Sequence, residues 1–390
     1  MSATPAPHPG AAFLACAGML IAVGTLMVYS ASITARPTEA EQIYLSRHLS
    51  FLALSLAAGG IAAHLSSEFW ERWAPRLFLL TIALLIGVLL PGIGTQVNGA
   101  QRWIRLGVLS IQPSETAKLT LTLLLARLLT RSTTSDYSPV ERRLFILFPV
   151  AISAMLVLIE PDLGTTVFLL LTATLVLFYS GWPLREFLIA GAMAVPAAAA
   201  LFVLRPYQWR RIEGFIAAWT EPESAPYQVR QSLTTLGVGG FWGMGLGEGW
   251  QKLSFLPEAN TDFVFAVIGE ELGLLGTLSV VVLWGGLLYF GGQLIQRAPT
   301  GSFQKTVAAT LLTQLALQAI INVGVVTAML PPKGISHPFI SYGGSSLLVS
   351  CVAVGLIISM TSVPHSVTAS QEFGDEAEAA SQQAALTAAA

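Results

Sequence analysis

Leu256-Pro257-Glu258-Ala259-Asn260-Thr261-Asp262 runs directly into Phe263-Val264-Phe265-Ala266-Val267-Ile268-Gly269-Glu270-Glu271-Leu272-Gly273. A carboxylate thus stands at the mouth of a strongly apolar segment, and two more stand inside it. An ionised side chain at the centre of a membrane helix costs at least ~2.5–3.5 kcal/mol. A chain that keeps three acids in such a place either pairs them or uses them.

The rest of the chain gives that segment its setting. Of 390 residues, 54% are hydrophobic and only 11% are charged. A soluble chain would carry roughly 25% charged residues. The sequence therefore predicts an all-α polytopic membrane protein. Apolar runs near the ~20 residues that a span requires centre on 11–30, 48–65, 76–91, 113–130, 143–159, 163–181, 186–204, 263–291, 305–329 and 340–362. About ten transmembrane helices are expected in one bundle, residues 1–363, with a large loop over 205–262 between the seventh and eighth. The acidic, Ala/Gln/Ser-rich stretch 364–390 reads as a disordered tail. Lys and Arg are more frequent in the short loops on the side of the N-terminus, which places both termini in the cytoplasm and the large loop outside. The first apolar run has no basic n-region before it and reads as a retained span.

The net charge of −2 offers no basis for a nucleic-acid partner. Cys16 and Cys351 lie in apolar runs and read as small buried hydrophobes. The five histidines show no metal-ligand spacing, and there is no nucleophile elbow.

Four clusters carry candidate chemistry. In the first, Asn260 or Thr261 is expected to cap a helix, with Asp262 in its first turn. The helix dipole favours an acid there by ~0.3–1 kcal/mol. The same place, at the membrane–water boundary, suits a general base acting on a lipid-linked substrate. In the second, Glu270 and Glu271 are expected about 12–14 Å deeper along one continuous helix. They read as a structural buried pair, with Lys118 or arginines of neighbouring helices as counter-ions. In the third, Pro113 opens a helix on which Glu115 and Lys118, three apart, meet on one face; a structural role comes first and a gating role second. Just upstream, Arg102 and Arg105 flank Trp103. A guanidinium fork suits a diphosphate, and interfacial anchoring explains the same residues. In the fourth, polar, Gly-rich backbone over 322–346 enters a span, which is tolerated only where it lines a cavity. Lys333 is a candidate for holding a phosphate, and Ser341, Ser345 and Ser346 for binding sugar or diphosphate. Gln318 and Asn322, one turn apart, are expected on one interior face. The large loop adds Arg210, Arg211, several tryptophans and a glycine-rich run, 237–247, that lacks the spacing of a nucleotide loop. Interfacial anchoring and substrate contact both remain open there.

Taken together and in order, the segments 99–118, Glu160-Pro161-Asp162-Leu163-Gly164-Thr165-Thr166, 206–212, 227–232, 257–273 and 322–346 resemble the SEDS family (shape, elongation, division and sporulation) across nearly the whole chain. Ile268-Gly269-Glu270-Glu271 and Pro332-Lys333-Gly334 are similar to its division-type branch more than to its elongation-type branch. Asn260 stands where that branch usually has His, and Arg105 where Asp or Asn is usual. The resemblance implies a ten-helix bundle in the bacterial inner membrane. It implies a peptidoglycan glycosyltransferase that polymerises lipid II for the septal wall, with Asp262 as the essential carboxylate. The implied partners are a class B penicillin-binding protein transpeptidase and other division proteins. The leaving undecaprenyl diphosphate needs charge stabilisation, from Arg102, Arg105, Arg210, Arg211 and Lys333 or from a divalent cation, Mg2+ or Mn2+. On physical grounds alone, a transporter that flips lipid II fits a polar-lined bundle equally well.

Overall fold

The structure, a computed structural model, describes residues 8–31, 39–97, 100–106, 109–132, 138–204, 206–221, 223–252 and 255–362. The helices are α1 (Pro9–Ala31), α2 (Glu39–His64), α3 (Ser67–Leu89), α4 (Pro113–Ser132), α5 (Pro139–Ile159), α6 (Leu163–Tyr179), α7 (Leu184–Leu204), α8 (Pro206–Thr220), α9 (Tyr227–Gly239), α10 (Val264–Gln296), α11 (Phe303–Val326) and α12 (Gly344–Thr361). Seven of them, α1, α2, α3, α5, α10, α11 and α12, are long and apolar enough to cross a membrane, and α6 is apolar but shorter. The protein is a helical, multi-pass membrane protein. Each of the ten expected segments falls on a helix. The 364–390 tail lies outside the described residues.

Local chemistry explains the boundaries. Ser138 and Glu141 form a reciprocal capping box on α5, with Ser138 N donating to Glu141 Oε2 at 2.9 Å and Glu141 N donating to Ser138 Oγ at 3.3 Å. This satisfies two donors that a helix start leaves unpaired. At the other end of α5, Pro161 cannot continue the helix. Asp162 then caps α6, accepting from Thr165 N at 3.0 Å.

Two features add detail to the expected all-α bundle with its large loop. Between α3 and α4 lies a small antiparallel sheet in the order β1 (Gly94–Val97), β2 (Ala100–Leu106), β3 (Leu109–Ile111). Arg105 pairs with Ser110 in its register. The 205–262 stretch is a folded loop that contains α8 and α9.

The larger surprise is α10. Gly273 has φ 65° and ψ −160°, and the helix is broken there. A Cβ added at Gly269 would meet Thr277 Cγ2 at 3.5 Å, although eight residues of straight helix rise ~12 Å. Phe265 and Trp284 both pack on the ring of His337, with centroids 6.4 and 5.7 Å away. The chain therefore doubles back at Gly273, and its short first arm packs along its long second arm. Glu270 and Glu271 sit at the tip of this hairpin, not deeper along a continuous helix. Only glycine tolerates that backbone conformation without strain.

The core follows from these elements. α11 packs on α4, α6, α10 and α12 and is largely buried. α2 lies against α12 through Gly59 and Gly355, where a Cβ on Gly355 would come within 2.1 Å of the Gly59 carbonyl oxygen. Here glycine is required for close approach.

Candidate functional site

A cleft of about 710 Å³ opens where β2, the starts of α4 and α6, the turn before α10 and the 331–343 segment converge. It gathers Asp262, Arg102, Arg211, Lys333, Ser346, Glu115, Lys118 and Gln318. All are expected site residues.

Asp262 is half-buried and lies in the turn before α10, not in its first turn; the N-cap is Phe263 and makes no side-chain cap bond. The turn is built on Glu258, whose carbonyl accepts from Thr261 N and Phe263 N, both at 3.1 Å. Glu258 has φ 54°, and its Oε2 accepts from Thr261 Oγ1 at 2.8 Å. Asn322 Nδ2 donates to the carbonyl oxygens of Asp262 at 2.7 Å and Ile335 at 2.8 Å. Ser341 Oγ donates to Thr261 O and accepts from His337 N at 2.7 Å. Tyr342 N donates to Asn260 O at 2.8 Å. The turn is thus held at the carbonyls of Asn260, Thr261 and Asp262 in succession, and the Asp262 carboxylate is left to the cleft. Burial, with the Glu258 charge adding to it, pushes that carboxyl up to about 7.

Cations stand on the other walls. Arg102 Nη1 lies 3.4 Å from Asp162 Oδ2. Lys333 is held below its usual range by burial and by the neighbouring Arg211, with Asp162 opposing. Arg211 Nη1 donates to Pro332 O at 3.3 Å. Below them, Lys118 Nζ pairs with Glu115 Oε2 at 2.8 Å and donates to Gln318 Oε1 at 3.3 Å. Gln318 Nε2 donates onward to Ser336 O at 3.2 Å.

Several expected residues lie elsewhere. Arg105 is exposed and does not line the cleft. The Arg210 side chain lies outside the described residues. Ser345 Oγ donates to Ser110 O and accepts from Gln112 N, both at 3.0 Å, so it joins α12 to the sheet. Ser341 is engaged with backbone, as described above. Glu270 and Glu271 are remote from the cleft and do not use Lys118. Lys252 Nζ lies 2.6 Å from Glu271 Oε1, with both side chains almost fully enclosed. Ser30 Oγ donates to Glu271 Oε1 and Oε2 at 2.7 and 2.6 Å. Glu270 Oε1 accepts from Trp250 N and Gln251 N at 2.8 and 3.1 Å. The loop after α9 inserts at the hairpin tip, so two carboxylates that diverge along a helix both grip it.

Sequence reasoning did not assign Glu258 or Asp162 to the site. Asp162 was visible as the acid of a turn too tight for ordinary linkage, 160–164. Four acids line the cleft, Glu115, Asp162, Glu258 and Asp262, and among the described residues no three of His, Cys, Asp and Glu gather closely enough to hold a metal ion.

A sequence profile of FtsW/RodA/SpoVE cell cycle proteins matches residues 11–365. A probable peptidoglycan glycosyltransferase FtsW from Saccharophagus degradans is 38% identical over 347 residues, covering 88% of this chain and 90% of that protein. Its counterpart in Nitrosococcus halophilus is 40% identical over 360 residues, covering 90% and 92%. Among solved structures, a chain from a peptidoglycan synthase complex that coordinates polymerization and crosslinking superposes with a TM-score of 0.74 at 27% identity, covering 90% of this chain and 96% of that one. The Thermus thermophilus rod shape determining protein RodA superposes with a TM-score of 0.64 at 26% identity, covering 90% and 95%. The family that the motifs resemble is the one the whole chain matches: this protein belongs to the FtsW/RodA/SpoVE family.

Proposed function

We propose that the protein is a peptidoglycan glycosyltransferase that polymerises lipid II at the outer face of the bacterial inner membrane, with both termini in the cytoplasm. One observation carries this reading: a half-buried carboxylate near neutrality, Asp262, shares a single cleft with Arg102, Arg211 and Lys333. A general base works best with a pKa close to the operating pH. Oxyanions of a leaving diphosphate are stabilised by preorganised cations.

In this reading, Asp262 removes the proton from the 4-hydroxyl of the acceptor GlcNAc. That oxygen bonds to C1 of the donor MurNAc as the bond from C1 to the diphosphate oxygen breaks. Undecaprenyl diphosphate leaves with the electron pair, against the cations. A single displacement inverts the α donor linkage to a β product. A class B penicillin-binding protein cross-links the strand, and the division-type sequence features favour work at the septum beside other division proteins.

The test is polymerisation of lipid II by the purified chain with its cross-linking partner, with and without EDTA. Asp262→Asn and Asp262→Ala are expected to fold and insert but make no glycan. Normal polymerisation by Asp262→Ala ends the general-base reading. Translocation of labelled lipid II that stays monomeric supports a transporter instead. Loss of activity in EDTA assigns part of the charge stabilisation to a divalent ion.

A further inference from the structure

Two groups beside the cleft lack partners and are chemically complementary. Glu160 follows α5 and is 1% exposed, and neither of its carboxyl oxygens has a hydrogen-bond partner among the described residues. Arg102 Nε is also buried and without a partner there. The two Nη atoms of Arg102 are engaged: Nη1 faces Asp162 Oδ2 at 3.4 Å, and Nη2 donates to Pro161 O at 3.2 Å. Pro161 joins Glu160 to Asp162, so the guanidinium lies across the turn that carries Glu160 and acts on its charge. Burial first, and Asp162 second, push the Glu160 carboxyl up to about 8. Leaving two acceptors of a buried carboxyl unmade is costly, and such exceptions call for an explanation.

We infer that Glu160 is the positioning residue for Arg102: when the Nη end of the guanidinium turns from the α5–α6 turn to a diphosphate, its Nε–H edge donates to the Glu160 carboxylate. A guanidinium presents five donors in one plane. The end of the fork can therefore grip oxyanions while the Nε edge is anchored behind. The approaching cation favours the ionised form of Glu160, whose proton passes to water in the cleft. The second acid in the turn, Asp162, is then left to its cap bonds with Thr165. This inference rests on the reading that Arg102 contacts the leaving diphosphate.

The experiment compares the full-length purified protein with Glu160→Gln, Arg102→Ala and the double variant. It measures KM and kcat for lipid II, inhibition by inorganic pyrophosphate, and melting temperature. Glu160→Gln keeps the shape and removes the charge. It is expected to raise KM and weaken pyrophosphate inhibition by about tenfold, the scale of a lost charge-assisted hydrogen bond, with a smaller change in kcat and no drop in melting temperature. The double variant is expected to be no worse than Arg102→Ala, because Glu160 acts through Arg102. Glu160→Asp, which keeps the charge on a shorter stem, is expected to fall between wild type and Gln, and it serves if the Gln variant does not fold. If Arg102→Ala raises KM but the Glu160 variants do not, or if the two effects multiply, the positioning role is overturned. If Arg102→Ala changes neither KM nor pyrophosphate inhibition, the diphosphate reading of Arg102 fails, and this inference fails with it.

Discussion

Gly334 lies directly against the Asp262 carboxylate: a Cβ at position 334 would stand 2.9 Å from Asp262 Oδ2. The atom in the way is the free end of a short side chain, so the fold can relieve the contact by turning the carboxyl. Gly334→Ala is therefore expected to change the melting temperature little. It displaces the group that takes the proton, and a misplacement of ~1 Å costs about 100-fold in rate. Circular-dichroism melting beside a lipid II polymerisation assay separates the two effects. A fall in stability with activity retained contradicts this account.

The Asp262 carboxyl, pushed up to about 7, sets a pH limb. A base acts when ionised, so activity is expected to rise with pH and level off above about 7, falling about tenfold per unit below that. Glu258→Gln removes the like charge that helps to raise the carboxyl, so the limb shifts to lower pH. A pH–rate profile of kcat/KM for both proteins checks it, and an unmoved limb in the variant rejects the Glu258 contribution.

The same shift has a stability consequence of opposite sense. The folded pKa lies above the ordinary aspartate value of ~3.9, so the fold favours the protonated form. Stability contributed by this site is present at low pH and is lost as pH rises through about 7. Asp262→Asn, neutral at every pH, is expected to melt no lower than wild type at pH 8 while making no glycan. Melting curves at pH 5 and pH 8 check the sign.

The Lys252–Glu271 pair is enclosed and close, at 2.6 Å. Removing one member of a buried pair leaves an uncompensated charge, a loss of roughly 3–5 kcal/mol. Lys252→Met and Glu271→Gln are each expected to destabilise strongly, and the double variant Lys252→Met, Glu271→Gln to recover much of the loss. Denaturation in detergent gives the comparison. A double variant worse than the sum of the singles excludes this explanation.

At Gly273, a Cβ would stand 2.4 Å from Gly243 N and 2.6 Å from Phe241 O, on a backbone at φ 65°. Gly273→Ala is expected to cost at least ~1–3 kcal/mol from the backbone alone, with loss of the loop contact in addition. Increased protease cleavage within 240–252 reports that release.

Much of this was readable in advance. The apolar runs located the helices, because the bilayer fixes their length. The three-residue spacing of Glu115 and Lys118 foretold their ion pair, because helical geometry alone brings them together. Asp262 was identifiable as an acid at the end of an apolar run. The reversal at Gly273 was not: Gly269, Gly273 and Gly276 interrupt an apolar run without breaking it, and only the docked loop decides that the chain turns. The partner of Glu271 was hidden for a related reason, since Lys252 reaches it through tertiary folding and not through helical spacing. Ser341 and Ser345 look like sugar ligands in the sequence, yet backbone groups from distant segments had already claimed their hydroxyls. The β1–β3 sheet escaped notice because its strands are short and carry no sustained alternation.

Gln318 and Asn322 occupy successive turns of α11, and each holds a different element that lines the cleft. Gln318 takes hold of Lys118 on α4, and Asn322 takes hold of the Asp262 carbonyl. Four residues of helix rise about 6 Å, so α11 works as a ruler between the Glu115–Lys118 ion pair and the turn that carries Asp262. Inserting one residue between these positions would swing one anchor by about 100° around the axis and let the two elements fall out of step, even with every cleft side chain unchanged.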